Sequence, residues 1–399
     1  MTKKKCYLNS MGILCSAGDS ASMVKASILS KKTTLTMNAT LGADSEVVLP
    51  LGVYQGDLPE IPLLGKQWHS RNNQFALAVL KQIETDVNDA ITRFGANRVG
   101  VIIGTSTSSI AECEVDIREW VRTKNIASGY DYGLQEMGAT AQFVSEIIGA
   151  KGPSYGISTA CSSGAKSLAA ARRLIRSGVC DAVVAGGVDT LCQLTVQGFS
   201  SLEAVSNEVC NPFSRNRKGI NIGEGAALFL VTAESKGVEL LGVGESSDAH
   251  HISAPDPSGC GAIRTMKLAL VDAELTAEQV GYVNLHGTAT RLNDQMEATA
   301  MHAVFGSDTP CSSTKPFIGH TLGAAGAIEA GICYMTLELE TDKFLPIHLW
   351  DGMRDPSLPN INLVSSEHEL SRPLNYVLSN SFAFGGNNIS LILGKINDV

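Results

Sequence analysis

Cys161 has the surroundings of a catalytic nucleophile. It lies in the segment T-A-C-S-S-G (159–164), between a predicted strand that ends at Ser158 and a helical pattern over 165–175. At such a strand-to-helix turn, the positive end of the helix macrodipole stabilises a thiolate, and unpaired backbone N–H groups can bind an oxyanion. The sequence therefore predicts a cysteine nucleophile, with a buried structural cysteine as the alternative.

Two histidines lie in Gly- and Thr-rich turns. His286 is in N-L-H-G-T-A-T (284–290), and His320 is in G-H-T-L-G-A-A-G (319–326). A neutral imidazole held in a turn can donate a hydrogen bond from Nε2 to a thioester carbonyl that is becoming an enolate. One such histidine is more often a core residue, but two beside a candidate thiolate favour catalysis. The adjacent His250 and His251 lack this context and are predicted to lie at the surface.

Lys315 and Glu329 flank His320 at five and nine residues and could form an ion pair that supports the site. A buried lysine is costly unless it is paired, so the alternative for both residues is a solvated surface. The segment N-S-F-A-F-G-G-N-N (380–388) places two aromatic residues against a Gly-Gly pair. This pattern indicates a mobile or close-approach loop, with an ordinary tight turn as the alternative.

The elements that must position these residues follow an α/β pattern. Short β-branched runs that close on glycine alternate with Ala-rich helical segments, which is typical of a layered fold with buried strands. Residues 98–108 and 279–290 share V-G-x-V-x-x-x-G-T-x-T with one residue of drift, and 158–175 resembles 318–335. These repeats predict two duplicated halves, 1–250 and 251–399, that pack as one body because no Pro/Ser-rich linker separates them.

Composition excludes several classes of protein. The 399 residues are 44% hydrophobic and 18% charged, which is enough for a large core, and the net charge of -9 argues against nucleic-acid binding. No apolar run approaches the roughly 20 residues of a membrane span, and the N-terminus lacks a signal-peptide pattern, so we expect a cytoplasmic location. The ten cysteines form no C-x-x-C pair, so reduced thiols and no metal site are expected.

Five motifs in order carry a resemblance to a known family. They are T-A-C-S-S-G, G-E-G (223–225), H-G-T-A-T, K-P-F-I-G-H-T-L-G-A-A-G and N-S-F-A-F-G-G-N-N. Together they resemble β-ketoacyl-[acyl carrier protein] synthases of the elongating Cys-His-His type over nearly the whole chain. The resemblance implies a thiolase-like fold, with two α/β halves in α-β-α-β-α layers, and an acyltransferase that condenses an acyl-enzyme with malonyl-ACP by decarboxylative Claisen chemistry.

The resemblance also implies roles for individual residues. Cys161 would carry the acyl chain, while His286 and His320 would drive decarboxylation and stabilise the enolate. Five further residues would support this centre: Lys315 and Glu329 beside the histidines, Phe384 as gate and oxyanion-hole donor, and Thr288 and Thr290 along the phosphopantetheine channel.

Partners are implied in the same way. Acyl carrier protein would dock at Lys66 and Arg71, with an ordinary solvated helix start as the alternative. The substrates would be carried on its phosphopantetheine arm without a further cofactor. The resemblance implies a homodimer, and a heterodimer with a related synthase stays open.

The chain departs from the family pattern at five positions. Ala383, Asn387, Arg291, Ser214 and Lys218 replace a usual Gly, Thr, Pro, Asp and Asp. These changes leave open the freedom of the gate and the shape of the acyl pocket. The stretches around Leu191 and Val205 look more like synthases of aryl-polyene or polyketide clusters than like fatty-acid synthases.

Two alternatives remain from the sequence. A thiolase would need a second catalytic cysteine near the C-terminus, but the last cysteine is Cys333. A non-catalytic chain-length factor usually lacks the nucleophile that this chain retains, although the catalytic subunit of a heterodimer stays possible. Acyl length, starter group and pathway stay open.

Overall fold

Strands and helices alternate along the chain. A computed structural model describes residues 4–38, 48–63, 65–126, 130–338, 345–368, 370 and 373–396. The strands are β1 (Tyr7–Cys15), β2 (Thr36–Asn38), β3 (Leu49–Leu51), β4 (Val99–Gly104), β5 (Ser154–Ile157), β6 (Ala182–Asp189), β7 (Gly225–Thr232), β8 (Val238–Ser247), β9 (Tyr282–Asn284), β10 (Pro310–Ser312), β11 (Asn362–Leu363), β12 (Tyr376–Ala383) and β13 (Asn387–Lys395). The α-helices are α1 (Ala21–Leu29), α2 (Arg71–Gln82), α3 (Glu84–Phe94), α4 (Ile110–Thr123), α5 (Ala139–Ile148), α6 (Ser163–Arg176), α7 (Gln193–Ser201), α8 (Cys260–Ala273), α9 (Arg291–Phe305), α10 (Lys315–Ile318) and α11 (Ala325–Glu338).

The large mixed sheet repeats one strand pattern twice. Its order is β11-β10-β9-β12-β13-β8-β1-β7-β6-β4-β5. On one side, β1 pairs antiparallel with β7 and β7 with β6, while β6, β4 and β5 run parallel. On the other side, β8, β13, β12, β9 and β10 follow the same order with the same directions. This shared topology supports the internal duplication that the sequence repeats predict.

The two sides of the sheet meet where β1 pairs with β8, at Tyr7 opposite Glu239 and Leu8 opposite Val238. Because β8 is the first strand of the second pattern, the repeated order begins at Val238. The division into 1–250 and 251–399 stays a prediction.

Helices form three layers around the two sides of the sheet. Helices α2 and α5 pack on strands of the first side, and α8 and α9 cover the second side. Helices α6 and α11 lie between the two sides, where they contact each other and strands of both. The predicted α/β class and its layered arrangement are confirmed.

Small residues bring α6 and α11 together at their N-termini. A Cβ added to Gly164 would lie 2.8 Å from the backbone nitrogen of Ala327, and one added to Gly326 would lie 2.8 Å from the Cβ of Ala165. Either methyl would force the helices apart, since real Cβ atoms essentially never approach so closely. This close contact places the turn before α6 against the turn before α11.

Other expectations concern the cysteines and membrane spans. Cys180, Cys192 and Cys333 are buried as small hydrophobic residues, and Cys260 is the one exposed cysteine of the ten. Among the helices described here, none has the length and apolar character needed to cross a bilayer.

Candidate active site

The nucleophile candidate Cys161 lies on the turn between β5 and α6. Thr159 and Cys161 form an isolated backbone bridge, and Ala160 between them has a φ of 53°, in the left-handed region. A non-glycine residue there is uncommon and marks a constrained turn. The turn points the thiol into the interior, where Cys161 is only 5% exposed.

Burial is the largest influence on the pKa of this thiol. It raises the pKa of Cys161 to about 12, while the charge of Lys315 and hydrogen bonds from the backbone N–H groups of Cys161 and Phe384 oppose the rise. The sequence predicts that the helix N-terminus stabilises a thiolate, and burial opposes this effect because removing a charge from water disfavours the charged form. Burial thus favours the thiol form of Cys161, and the Lys315 charge and the backbone hydrogen bonds favour the thiolate.

His320 reaches Cys161 from the turn before α11. Its Nε2 lies 3.1 Å from the Cys161 sulfur, and the backbone nitrogen of Leu322 lies 3.3 Å from its Nδ1. The backbone of His320 bridges to Ile222, next to the G-E-G motif. These contacts fix both the main chain and the ring of His320.

His286 faces the same point from the loop after β9. The two imidazole rings stand nearly perpendicular, with centroids 5.3 Å apart. The backbone nitrogens of His286 and Gly287 each donate to the carboxylate of Glu297 on α9, at 2.7 Å. Glu297 therefore holds the loop that carries His286.

The surroundings of the rings assign their tautomers. Nδ1 of His320 faces the Leu322 N–H, and Nδ1 of His286 lies 3.4 Å from the ammonium of Lys315. Since both partners are donors, both Nδ1 atoms must accept, which places the ring proton on Nε2. Burial, followed by the charge of Lys315, holds the pKa of both histidines well below 6.5, so both rings are neutral donors.

The same tautomers bear on metal binding. One ligand atom each from Cys161, His286 and His320 lies within 4.8 Å of the others, a spacing that could hold a metal ion. A metal would need the Nε2 lone pairs, and the displaced protons could not move to Nδ1 because donors face both Nδ1 atoms. The arrangement fits donation to a substrate oxygen better than metal ligation.

Lys315 and Glu329 form the predicted ion pair, at 2.5 Å and with both side chains 2% exposed. The ammonium also donates to the backbone carbonyl of His286. Burial raises the pKa of Glu329 and the charge of Lys315 opposes this rise. The pair therefore ties α10 and α11 to the loop that carries His286.

The loop after β12 borders the cavity that contains the thiol. The ring of Phe384 packs against Phe199, with centroids 5.5 Å apart. Gly385 and Gly386 have φ values of 77° and 73°, whereas Ala383 is extended with a φ of -112°. Ala383 thus occupies a conformation that any residue can adopt, and the two glycines carry the turn.

A cavity of about 370 Å³ connects this centre to the surface. Its residues include the three catalytic candidates, the gate and the predicted channel, namely Cys161, His286, His320, Phe384, Thr288 and Thr290. The hydroxyls of Thr288 and Thr290 lie 2.8 Å apart on this path. Arg291 and Lys218 also line the cavity, and Lys218 pairs with Glu208.

Two other departures from the family pattern have local partners. Asn387 accepts a hydrogen bond from Lys166 at 3.2 Å. The hydroxyl of Ser214 donates to Asp351 at 2.9 Å. Neither residue lines the cavity.

The docking candidates lie elsewhere, at the start of α2. Lys66 is exposed, whereas Arg71 forms an ion pair of 2.5 Å with the buried Glu224 and donates to the carbonyl of Tyr54. The guanidinium of Arg71 thus holds the G-E-G motif in place. Docking by these two residues stays a prediction, and Lys66 is the more accessible charge.

Sequence reasoning missed three buried carboxylates near the site. Besides Glu297, Asp294 accepts from the backbone of Phe213 and Ala289, and Asp189 accepts from the turn that follows His320. Asp294 and Glu297 share an i, i+3 spacing after H-G-T-A-T, which could have indicated one helix face. Nothing in the sequence around Asp189 indicated its contact.

The comparisons with known proteins agree with this geometry. Residues 70–236 match the N-terminal domain of the β-ketoacyl synthase family and residues 238–347 match its C-terminal domain. A 3-oxoacyl-[acyl-carrier-protein] synthase 2 of Staphylococcus aureus is 32% identical over 345 residues, which cover 82% of each chain.

Two solved structures are similar over almost their whole length. A ketosynthase from Xenorhabdus doucetiae, solved in complex with its chain length factor, is 40% identical with a TM-score of 0.93 and 98% of each chain covered. A β-ketoacyl synthase from Burkholderia phymatum is 26% identical with a TM-score of 0.89, covering 99% of this chain and 100% of the other. The family resemblance read from the five motifs is thereby confirmed, and this chain belongs to the β-ketoacyl synthases.

Proposed function

We propose that Cys161, His286 and His320 perform a decarboxylative Claisen condensation between an acyl group on Cys161 and a malonyl thioester. The observation that supports this most is the convergence of one thiol and two imidazoles, with one nitrogen of each ring and the Cys161 sulfur within 4.8 Å of one another. A condensing enzyme needs a nucleophile for the acyl chain and donors for an enolate at adjacent points. The 3-oxoacyl-ACP synthase relatives carry out such carbon–carbon bond formation, and the chain is an acyltransferase of this kind.

Acylation is the first half-reaction. The Cys161 sulfur attacks the thioester carbonyl, the new carbon–sulfur bond forms, and the bond to the pantetheine sulfur breaks. The thiol proton ends on the departing pantetheine sulfur, so no net base is consumed. The backbone N–H groups of Cys161 and Phe384, which approach the sulfur, would bind the oxyanion that develops during this step.

Decarboxylation and condensation form the second half-reaction. The malonyl carboxylate leaves as carbon dioxide, and its electron pair becomes an enolate whose oxygen accepts from His286 and His320. The enolate carbon then attacks the acyl-cysteine carbonyl, the carbon–carbon bond forms, and the Cys161 sulfur leaves as a thiolate that takes up one proton. All groups transferred are supplied by thioester substrates, so the reaction as written needs no further cofactor.

The partners are inferred from the substrates and from one relative. An acyl carrier protein would deliver both thioesters through the cavity that Thr288 and Thr290 line. A second subunit would complete the assembly as a homodimer. Because the relative at 40% identity was solved with its chain length factor, a heterodimer with a related subunit is the second candidate. Native mass of this chain alone, and after co-expression with related subunits of its own pathway, separates the two.

Half-reaction kinetics of three variants test the chemistry. His286→Ala and His320→Ala should each accumulate acyl-enzyme, while losing about a hundred- to thousandfold in carbon dioxide release because one preorganised donor is removed. Cys161→Ala should form no acyl-enzyme, yet retain slow malonyl decarboxylation and the parent fold. Intact mass and labelled carbon dioxide give both quantities for each variant. Histidine variants that decarboxylate at the parent rate would overturn the mechanism.

A panel of acyl-ACPs offered with malonyl-ACP tests the substrate class. Extension of at least one acyl group by two carbons, seen by intact mass, is the expected result. Failure of the whole panel with a stable, correctly assembled protein would count against the proposed function.

A further inference from the structure

Asp189 is a fully buried carboxylate at the end of β6, outside the cavity that holds the catalytic candidates. Its exposed fraction is 0%, and burial raises its pKa while hydrogen bonds from Thr105 and Thr107 oppose this rise. All of its hydrogen-bond partners within the described residues are neutral donors. They are Thr105 Oγ1, Ser106 N, Thr107 N, Thr107 Oγ1 and Gly323 N. So many donors around one carboxylate define its position closely.

The donors divide between the two carboxylate oxygens. Oδ1 accepts from the hydroxyls of Thr105 and Thr107 and from the Thr107 nitrogen, on the loop after β4, at 2.6 to 3.0 Å. Oδ2 accepts from the Gly323 nitrogen at 2.6 Å, and Ser106 N lies 2.9 Å from both oxygens. Asp189 therefore connects the β4 loop with the turn that follows His320.

That turn is strained and packed closely against Asp189. Leu322 has a φ of 51°, in the left-handed region that is unfavourable for a non-glycine residue. A Cβ on Gly323 would lie 2.6 Å from Oδ2 of Asp189, so the carboxylate can reach the turn only because residue 323 is glycine. A carboxylate at the start of the 322–324 turn also compensates the positive helix end that leads into α11.

The turn in turn orients the imidazole. The Leu322 nitrogen donates to Nδ1 of His320 at 3.3 Å, one residue before the Gly323 nitrogen donates to Asp189. The Leu322 N–H keeps the His320 proton on Nε2, the atom that faces Cys161 at 3.1 Å. A shift of the turn would remove that donor and leave the ring free to carry its proton on either nitrogen.

We propose that Asp189 is a positioning residue that holds the turn 321–323 and thereby keeps His320 as an Nε2–H donor for decarboxylation. This inference rests on the proposed function of His320. Asp189 touches neither the substrate path nor the reacting atoms, so it acts through the Gly323 and Leu322 backbone. Its loss should affect decarboxylation and spare acylation, since the acylation step uses the thiol and backbone N–H groups.

Asp189→Asn separates positioning from packing because the amide has nearly the same shape. The amide oxygen should occupy the site of Oδ1, where most donors converge. The NH₂ group should then face the Gly323 N–H, and because both groups are donors this hydrogen bond is lost. The matched control is Thr105→Val, which removes one donor to Oδ1 and leaves the Gly323 contact intact. Both variants lose a hydrogen bond to the same buried carboxylate, and Thr105→Val also removes the acceptor of the Ser108 N–H. Only Asp189→Asn affects the His320 turn.

The main readouts are kcat and KM for malonyl-ACP decarboxylation, the single-turnover rate of Cys161 acylation, and ¹⁵N chemical shifts of labelled histidine. His320→Ala assigns the His320 signals. Asp189→Asn should lower the decarboxylation kcat roughly tenfold to hundredfold, the range expected for a misplaced catalytic group, with little change in KM or acylation. The His320 signals should move toward a mixture of tautomers, and Thr105→Val should change only thermal stability.

Three results would overturn the inference. One is an unchanged kcat with unchanged His320 signals in Asp189→Asn, and another is an equal loss in both half-reactions. The third is an equal kinetic effect of Thr105→Val. If Asp189→Asn does not fold, Gly323→Ala decides, because its methyl presses the turn away from Asp189 and should reproduce the selective loss.

The same measurements separate this inference from the proposed function. A His320→Ala variant that decarboxylates at the parent rate would remove the proposed role of His320 itself. If His320→Ala loses decarboxylation while Asp189→Asn and Gly323→Ala retain it, only the role of Asp189 fails.

Discussion

Nε2 of His320 lies 3.1 Å from the sulfur of Cys161, although 159 residues of chain separate the two. Each residue belongs to a turn before a small-residue helix, and the two helices meet at Gly164 and Gly326. The thiol and the donor are therefore brought together by the packing of two repeated units. The donor character of His320 in turn depends on a buried backbone contact.

The decarboxylation rate should not fall with the apparent pKa near 6.5 that is usual for a histidine. Burial, followed by Lys315, holds the pKa of His286 and His320 well below 6.5, so both remain neutral donors as pH falls through 6.5. With malonyl-pantetheine as a small substrate, the decarboxylation rate should stay level between about pH 8 and 6. A rate that falls with an apparent pKa near 6.5 would contradict the assignment.

The same histidines should make the fold less stable in acid. The pKa of both histidines is lower in the folded state than in the unfolded state. Below about pH 6.5 the unfolded chain therefore binds protons that the folded chain does not, and the free energy of unfolding decreases as the pH is lowered. Burial raises the pKa of Glu297 from 4.5 to about 7. Between these two pH values the folded chain binds a proton that the unfolded chain does not, so Glu297 opposes the effect of the histidines on stability. His320→Gln should therefore weaken the acid loss of stability measured by denaturant unfolding. An unchanged pH dependence in that variant would count against a depressed His320 pKa.

Breaking the Lys315–Glu329 pair should cost far more than breaking a surface pair. Lys315→Met leaves a buried carboxyl without its cation, and we expect a loss of about 3 to 5 kcal/mol in the free energy of unfolding. Lys218→Met is the matched control, since Lys218 and Glu208 are 54% and 66% exposed, and its cost should stay within about 1 kcal/mol. Equal losses in urea unfolding would show that burial of the Lys315 pair is not decisive.

Phe384→Ala should blur the order of substrate addition. The ring packs on Phe199 and lines the cavity that contains Cys161, and the substitution keeps the backbone N–H of residue 384. Rapid-quench measurements should show malonyl decarboxylation before acylation of Cys161. Phe199→Ala removes the ring that supports the gate and should reproduce part of the effect. An unaltered order in both variants would remove Phe384 from gating.

Lys66→Glu should slow acylation by acyl-ACP and flatten its dependence on salt, because the carrier is acidic and long-range attraction is screened by ions. Reaction with a small thioester should be nearly unchanged. Lys81→Glu, also exposed but in the last turn of α2, is the control for net charge. Arg71 is unsuitable as a test, since its reversal would also break the Glu224 ion pair. Equal slowing with both substrates would count against docking at Lys66.

Motif spacing predicted Cys161, His286 and His320, which the fold brings together, and it predicted the Lys315–Glu329 pair. It failed where the outcome depends on tertiary packing. The turn at Cys161 predicts a stabilised thiolate, but burial raises the pKa of the thiol to about 12. Asp189 is a lone acid at the end of an apolar strand, and its partner Gly323 lies 134 residues away, so no local pattern connects the two.

Composition does not mark where one repeated unit ends and the next begins. No linker marks the change from one unit to the next, and β8 continues the sheet beside β1. The turn between β7 and β8 becomes visible as a junction only when both strand orders are known.

That junction has a consequence for how the enzyme could be divided. A cut within the 233–237 turn would leave Cys161 on one polypeptide and both imidazoles on the other. Each fragment would keep a complete set of five repeat strands. The first fragment would lack both histidines and the second would lack the cysteine, so neither could complete a condensation alone. Condensation would then report reassembly of the two fragments, so product formation could serve as a complementation assay for the interface between α6 and α11.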